Sequence, residues 1–203
     1  FEDVAVERTV LRSIRDNPHP GLVGMLPSEF NVHTDNCRYT ALPYYQAGEL
    51  LDHIPPSGFP DDMARRYLVA LVSALDHLHD VLGWIHLDIS PENILVTDDG
   101  RSVVLCDYGL ARRKGRPWPA CRAMSGKLPY QAPEIYDGHA TRCDPAMDIF
   151  SMGSVFFIML GGIPPFEVPN RQDKRYAKIQ DGGLGELVEM WGCPLQKNAL
   201  DLV

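Results

Sequence analysis

The sequence predicts an α+β fold in which helices outnumber short strands. Apolar residues repeat at helical spacing in two long segments and fill a third almost completely, whereas the strand-like runs between them are short. With 203 residues, of which 45% are hydrophobic, the chain is long enough for one large domain or two lobes with a packed core.

The first predicted element is a helix over residues 2–15, and two short strands follow it. The apolar stripe of this helix consists of Val4, Val10, Leu11 and Ile14. One charged residue, Glu7, shares that stripe. The pattern stops at the turn-rich sequence DNPHPG, after which strand-like runs occur around residues 22–26 and 37–42.

The second helix, over residues 62–82, has the clearest pattern in the chain. Large apolar residues recur in it at intervals of three and four: Met63, Tyr67, Leu68, Leu71, Leu75, Leu78 and Leu82. Its acidic beginning and the following Gly83 are typical of helix termini. A linker, PYYQAGELLDHI, leads into this region through a short helix.

The second half of the chain predicts a hairpin, a long loop and further helices. The runs 94–96 and 103–106 are joined by the turn TDDG, and residues 112–133 show no periodicity. A buried helix near 147–160 and polar helices complete the chain. The most apolar segment, 149–166, keeps an unbroken helical pattern for only about a dozen residues, short of the ~20 that a bilayer requires, so we expect no membrane span.

Charge and cysteine content exclude several classes of function. The net charge of −8 and the single basic run, residues 112–117, argue against a surface that binds nucleic acid. Five cysteines without a C-x-x-C pair indicate reduced thiols, and therefore a cytoplasmic protein. The chain begins with Phe1 inside a helical pattern and shows no signal peptide, so we expect sequence to be missing upstream.

Three oxygen-bearing side chains carry the strongest chemical signal. Asp88 precedes Asn93 by five residues, and Asp107 ends the β-branched run of the next predicted strand. A small set of hard oxygen ligands suits Mg²⁺, which substrate phosphates usually complete. The pattern therefore indicates phosphoryl transfer, although Asp and Asn are also ordinary turn residues.

Together with other motifs, this pattern resembles the eukaryotic-type protein kinases. HLDISPEN is similar to their catalytic loop, DYG to their metal-binding D-F-G, and APE to the end of their activation segment. MDIFSMG resembles the start of their central buried helix. The resemblance implies a two-lobed α+β kinase fold, with part of the small lobe in residues 1–42 and a mostly helical large lobe in 43–203.

The resemblance also implies ATP and Mg²⁺ as cofactors and gives roles to the charged residues. Asp88 would accept or orient the proton of a substrate hydroxyl, while Asn93 and Asp107 would hold Mg²⁺ against the phosphates. Glu7 matches the helix glutamate that pairs with a strand lysine at the nucleotide. A solvent-facing Glu on the edge of the helix is the alternative for that residue.

The nucleotide pocket follows from the same resemblance. The expected nucleotide-binding residues, besides Glu7, are Leu42, Pro43, Tyr45, Glu49, Leu95 and Cys106. The Pro43 carbonyl and the Tyr45 N–H would bind the adenine edge, which a proline permits because only its carbonyl is used. Glu49 would approach the ribose and Leu95 would lie beneath the adenine, a position also compatible with a plain core leucine.

One departure from the family pattern concerns control of activity. Leu87 stands where these kinases carry an arginine that binds a phosphorylated residue of the activation segment. The segment WPACRAM, residues 118–124, contains no Ser or Thr, and Ser125 lies closer to APE than the usual switch position. We therefore expect activity that does not depend on phosphorylation of this segment.

A second departure is an exchange of two side chains. Serine/threonine members of the family usually place Lys two residues after the catalytic Asp and Thr in the sequence before APE, whereas this chain has Ser90 and Lys127. If the two positions face each other, Lys127 could reach the γ-phosphate and Asp88 from the opposite wall, with Ser90 beside it. The alternative is a solvated loop lysine beside a degraded site.

The expected function is transfer of the ATP γ-phosphate to Ser or Thr of a protein. Glu49 and Glu92 indicate substrates that carry Arg before the acceptor residue. A Gly-rich loop and strand lysine would lie before Phe1, and the arginine that normally pairs with Glu134 would lie after the end, so the chain alone should bind ATP poorly. Two alternatives remain: a pseudokinase that acts as a binding or scaffolding module, and a small-molecule phosphotransferase.

Overall fold

The fold is known from a computed structural model, which describes residues 3–27, 33–34, 37–118 and 126–190. The helices are α1 (Val4–Asp16), α2 (Asp61–Asp76), α3 (Pro133–Tyr136), α4 (Pro145–Gly161), α5 (Lys174–Gln180) and α6 (Leu184–Met190). The strands are β1 (His33–Thr34), β2 (Cys37–Arg38), β3 (Trp84–Ile85), β4 (Ile94–Val96), β5 (Val103–Leu105) and β6 (Arg112–Arg113). The predicted α+β class is confirmed, whereas the lobe division between residues 42 and 43 stays a prediction.

Helix α1 confirms the predicted first helix and shows why it begins where it does. The carboxylate of Asp3 accepts hydrogen bonds from the backbone N–H groups of Ala5 at 3.0 Å and Val6 at 3.2 Å, which otherwise would lack partners. The backbone N–H of Asp3 donates to the carbonyl of Gly109 at 2.9 Å. The start of α1 is therefore fastened to the DYG sequence, 106 positions further along the chain (109 − 3).

The predicted hairpin is confirmed, but the strand expected at residues 22–26 is wrong. Strands β4 and β5 pair antiparallel with Ile94 opposite Leu105. In residues 22–26, the Val23 N–H donates to Leu105 and the Leu26 N–H donates to Ala41, both at 2.9 Å. These bonds reach two different segments, so they do not form the continuous ladder of a strand.

The strand expected over residues 37–42 and the loop expected over 112–133 also need correction. Only the first two residues of 37–42 form a strand, β2, which pairs antiparallel with β1. Within 112–133, β6 pairs antiparallel with β3. Runs of two residues are too short to show a hydrophobic period, so the sequence alone does not reveal these strands. Residues 119–125 of the expected loop lie outside the described residues.

The core lies between helices α2 and α4 and the β4–β5 hairpin. Its fully buried residues on these elements include Tyr67, Leu71, Leu75, Ile94, Val103, Leu105, Val155 and Phe156. Helix α4 extends the predicted 147–160 helix by two residues before and one residue after. Among the described residues, no helix combines the length and the apolar character needed to cross a membrane.

Helix α2 does not continue regularly to residue 82 as predicted, because its last turn widens into a π-helix over His77–Val81. His77 stacks on His19 with a ring distance of 5.0 Å, and its Nε2 binds the Asn17 carbonyl at 3.0 Å. His19 accepts from the Gly21 N–H at Nδ1, at 3.1 Å, and contacts the Ser73 hydroxyl through Nε2, also at 3.1 Å. This histidine pair fastens the turn after α1 to α2.

The histidine pair predicts a loss of stability in mild acid. Burial, and secondly the neighbouring His77, lower the pKa of His19 below its usual value. Protonating Nδ1 would remove the acceptor of the Gly21 N–H. Because the pKa is lower in the folded state, the stabilisation is present above the unfolded-state pKa and is lost as pH falls through the folded-state pKa. Lowering the pH from 7.5 to 5.5 should therefore remove roughly 0.5–1 kcal/mol, about one hydrogen bond.

Urea unfolding at both pH values measures this effect. A His19→Asn variant should lose part of the pH dependence, whereas His139→Asn, at an exposed histidine, should keep all of it. Equal pH dependence in wild type and His19→Asn would contradict the role of the pair.

Candidate active site

A buried aspartate, Asp148 at the beginning of α4, holds the HLDISPEN segment, residues 86–93, named the catalytic loop after its resemblance to protein kinases. Its Oδ2 accepts from the His86 N–H at 2.7 Å and its Oδ1 from the Leu87 N–H at 2.8 Å. Nε2 of His79 lies 2.7 Å from Oδ2, and the Asp148 side chain is fully buried. Three groups on two other segments thus converge on one carboxylate, which fixes the backbone immediately before Asp88.

The sequence interpretation assigned no role to Asp148, although MDIFSMG was recognised as a motif. The available signal was a single acidic residue near the start of an otherwise apolar, buried helix. Such a charge is costly unless several donors satisfy it. His79 is one of those partners.

The catalytic loop continues in a backbone conformation that the fold imposes. Leu87 has φ of 68° and Asp107 has φ of 61°, a left-handed conformation that is uncommon for residues other than glycine. The ring of His86 bridges the two segments: Nδ1 accepts from the Asp88 N–H at 3.3 Å, and Nε2 donates to the Cys106 carbonyl at 3.1 Å. These contacts correspond to the Nε2–H tautomer of His86.

The structure brings the predicted Asp88 and Asn93 together. The Nδ2 group of Asn93 donates to Oδ2 of Asp88 at 2.7 Å and to its backbone carbonyl at 2.8 Å. The carbonyl of Asn93 accepts from the Cys106 N–H at 3.0 Å, so Asp107 follows directly on the paired segment. Oδ1 of Asp107 accepts from the Gly109 N–H at 3.1 Å. Two acidic residues and one amide therefore lie at one end of the β4–β5 hairpin.

This donor set fits a cation that is completed by a ligand. Since Nδ2 of Asn93 donates to Asp88, its oxygen Oδ1 is the atom left for a metal. The Asp107 carboxylate comes one residue after Cys106, whose N–H donates to the Asn93 carbonyl. In the part of the chain that the structure describes, no three His, Cys, Asp or Glu side chains form a metal cluster. Two protein oxygens with several remaining positions suit Mg²⁺, which commonly binds a few carboxylate or carbonyl oxygens together with water and phosphate.

Several of the expected nucleotide-binding residues are near one another. Glu49 pairs through an isolated bridge with Leu95, and the Val96 N–H donates to the Gly48 carbonyl at 2.9 Å. Leu42 is 39% exposed. Pro43 and Glu49 are also exposed, whereas Tyr45 and Leu95 are partly buried. The segment before the 3₁₀ turn Leu50–His53 thus lies along β4.

The pKa of the Cys106 thiol reflects the burial and the negative charge of this region. Burial raises the pKa of its thiol to about 12, and the negative charges of Asp107, Glu49 and Glu7 contribute in that order. Burial, together with Cys106 and Glu7 among its neighbours, also raises the pKa of Tyr108 well above its usual value. The carboxylate of Glu7 therefore acts on residues on both sides of Asp107, and the thiol stays protonated at neutral pH.

The exchanged pair, Ser90 and Lys127, is in direct contact. Nζ of Lys127 lies 2.9 Å from the Ser90 hydroxyl and 3.1 Å from Oε1 of Glu92. Lys127 also lines a small cavity together with Asp88. Gly126 must be glycine there, because its φ is +67° and a Cβ would lie 3.0 Å from Oδ1 of Asp88. The segment that carries Lys127 therefore packs against the Asp88 carboxylate.

Leu87 belongs to an apolar cluster rather than to a charged pocket. The buried members of this cluster are Ile85, Leu87, Ala132, Ile135, Cys143 and Met147, and Leu110, Trp118, Ala140 and Phe150 pack against it. The side chain joins the catalytic loop to the APE helix α3 and to α4 by packing alone. Independence from phosphorylation stays a prediction, since residues 119–125 lie outside the described residues.

The cluster predicts that a Leu87→Arg variant is destabilised. A guanidinium at a site that is 7% exposed would displace apolar packing, and we expect a cost on the order of 2–4 kcal/mol. Urea unfolding measures it, with Val69→Arg on the exposed face of α2 as the matched control. If the two variants lost equal stability, the cluster would have no special role.

These features define the class of protein. A protein kinase domain family matches residues 2–197, and the chain belongs to that family. It is 37% identical over 168 residues to the serine/threonine-protein kinase SBK1 of Danio rerio, an alignment that covers 80% of this chain and 42% of that protein. It is 31% identical over 198 residues to the serine/threonine-protein kinase CHK1 of Saccharomyces cerevisiae, covering 95% of this chain and 36% of that protein.

A third relative, protein kinase 2 of Dictyostelium discoideum, is 34% identical over 181 residues, which are 88% of this chain and 35% of that protein. The chain thus spans about two fifths or less of the length of these three relatives.

Proposed function

We propose that the protein transfers the γ-phosphate of ATP to a serine or threonine hydroxyl of a protein substrate. The observation that carries the proposal is the Asn93–Asp88 hydrogen bond at 2.7 Å, beside the hairpin end that bears Asp107. In this arrangement the Asp88 carboxylate is available for the substrate hydroxyl, and Asn93 and Asp107 offer two oxygen ligands for a metal. The relatives that are named serine/threonine-protein kinases support the choice of acceptor.

The site residues divide the reaction between proton transfer, metal binding and nucleotide binding. Asp88, oriented by Asn93, accepts the hydroxyl proton as the oxygen attacks phosphorus. Asn93 and Asp107 would hold Mg²⁺, which would supply positive charge against the phosphates. The residues that contribute to nucleotide binding are Glu7, Leu42, Pro43, Tyr45, Glu49, Leu95 and Cys106. Most of the catalytic effect comes from positioning and charge stabilisation rather than from covalent chemistry.

Lys127 provides the positive charge near the transferred phosphate. Its ammonium contacts Ser90, two residues after Asp88, and it lines the same cavity as Asp88. An ammonium placed there stabilises the charge that develops on the phosphoryl oxygens. Ser90, which is fully buried, holds the ammonium in place. We further propose a cytoplasmic location and substrates with basic residues before the acceptor, recognised by Glu49 and Glu92.

The test is phosphate transfer from labelled ATP to Ser- and Thr-containing peptides by the full natural protein. Wild type should transfer phosphate, and Asp88→Asn should transfer it roughly 10²–10⁴-fold more slowly. A wild-type protein that bound peptide but transferred no phosphate would instead support a non-catalytic scaffolding module.

A further inference from the structure

Lys127 is shared between two groups. Its Nζ contacts the hydroxyl of Ser90 at 2.9 Å and Oε1 of Glu92 at 3.1 Å. Ser90 is fully buried, whereas the side chain of Lys127 is 41% exposed. The buried serine hydroxyl is therefore a fixed hydrogen-bonding partner, whereas the flexible side chain of Lys127 can change its rotamer without unfolding of the loop.

Glu92 depends on Lys127 for its charge balance. Its side chain is 30% exposed. Its second oxygen, Oε2, is buried and has no hydrogen-bond partner among the residues that the structure describes. Glu92 is thus a partly buried carboxylate whose one described salt-bridge partner is Lys127.

A bound nucleotide would compete for that partner. A terminal phosphate carries more negative charge than a carboxylate. Lys127 is within reach of a phosphate at Asp88, because it contacts Ser90, two residues after Asp88, and the preceding Gly126 packs against the Asp88 carboxylate. An ammonium drawn toward phosphate can no longer balance Glu92. A partly buried carboxylate without a cation is unfavourable, so Glu92 would pair with another cation. The basic side chain of a protein substrate can supply that cation.

We propose that Lys127 couples the two substrates: through its salt bridge it masks Glu92 and, when a nucleotide phosphate draws it away, exposes Glu92 to a basic residue of the protein substrate. This inference rests on the proposed function, because it assumes nucleotide binding at the Asn93–Asp107 site. Because coupling between binding sites is reciprocal, a basic peptide must also raise the affinity for nucleotide by the same factor.

The first arm of the test uses no nucleotide. Calorimetry measures binding of a Ser-containing peptide that carries Arg before the acceptor, and of the same peptide with citrulline in place of Arg. Lys127→Met exposes Glu92 permanently, so it should bind the Arg peptide about tenfold more tightly than wild type. The citrulline peptide should show no such gain.

Two variants control this arm. Lys178→Met removes another half-exposed lysine that pairs with a glutamate, Glu186, and should leave peptide affinity unchanged. The Lys127→Met/Glu92→Gln double variant should lose the gain for the Arg peptide. If Lys127→Met does not bind the Arg peptide more tightly than wild type, the masking is wrong, whatever the nucleotide does.

The second arm adds Mg²⁺ and a non-hydrolysable ATP analogue. In wild type the analogue should tighten binding of the Arg peptide about tenfold and of the citrulline peptide little, whereas in Lys127→Met it should tighten neither. Analogue that binds wild type without this difference would overturn the coupling alone. Analogue that fails to bind the full natural protein would instead count against the proposed function, while the first arm still decides whether Lys127 masks Glu92.

Discussion

Replacing Asp148 by alanine is expected to destabilise the protein by about 3–5 kcal/mol, the usual cost of breaking a buried charged network. The carboxylate is fully buried and accepts from the backbone N–H groups of His86 and Leu87. Removing it leaves two buried donors without acceptors and takes the partner of His79 away. Water cannot replace the carboxylate without opening the packing between α4 and the catalytic loop.

Urea unfolding monitored by circular dichroism measures the loss for Asp148→Ala. The matched control is Asp144→Ala, four residues earlier in the chain, where the carboxylate caps α4 by accepting from the Ala146 N–H at 3.1 Å and lies 3.8 Å from Nε of the exposed Arg142. That variant should lose about 1 kcal/mol, the usual contribution of an N-cap. Equal losses for the two variants would show that the buried network does not hold the catalytic loop.

Hydrogen exchange adds a local readout. In Asp148→Ala the amides of His86 and Leu87 should exchange faster than in wild type by a larger factor than the core amides of α2 do. In Asp144→Ala the protection of these two amides should follow the global stability only.

Replacing Asp88 by asparagine is expected to lower phosphate transfer by roughly 10²–10⁴-fold, the range for loss of a general acid–base group. Asparagine has nearly the same shape but cannot accept the hydroxyl proton. Its side chain can still meet Asn93, so the fold of the loop should be retained. Binding of nucleotide should change little, because the metal ligands in the proposal are Asn93 and Asp107.

Initial rates at saturating ATP measure this effect, and thermal unfolding verifies that the variant is folded. The matched control is Asp62→Asn, whose carboxylate on α2 is 82% exposed and should not affect the rate. If Asp88→Asn transferred phosphate as fast as the control, Asp88 would not be the catalytic base. If wild type and Asp88→Asn were both inactive but bound the same partner proteins, the scaffolding alternative would account for the protein better.

The sequence by itself determined the long helices and the hairpin. Helix α1, most of α2, α4 and the β4–β5 pair have enough residues for a hydrophobic pattern to be visible, and the turn TDDG marks the end of β4. The same local information was enough to show that the sequences around Asp88 and Asp107 resemble protein kinase motifs. The roles of the individual site residues are proposals, since a sequence motif indicates a type of chemistry but does not test it.

Only the tertiary structure decided the features that depend on contact between distant segments. The two-residue pairs β1–β2 and β3–β6 and the widened turn at His77 are too short for a period, and packing alone determines them. The Asp148 anchor joins residues more than sixty positions apart, and the contact of Lys127 with Ser90 spans 37 positions. A carboxylate or an ammonium acts on whatever lies within a few ångströms, and that neighbourhood is created by folding rather than by order along the chain.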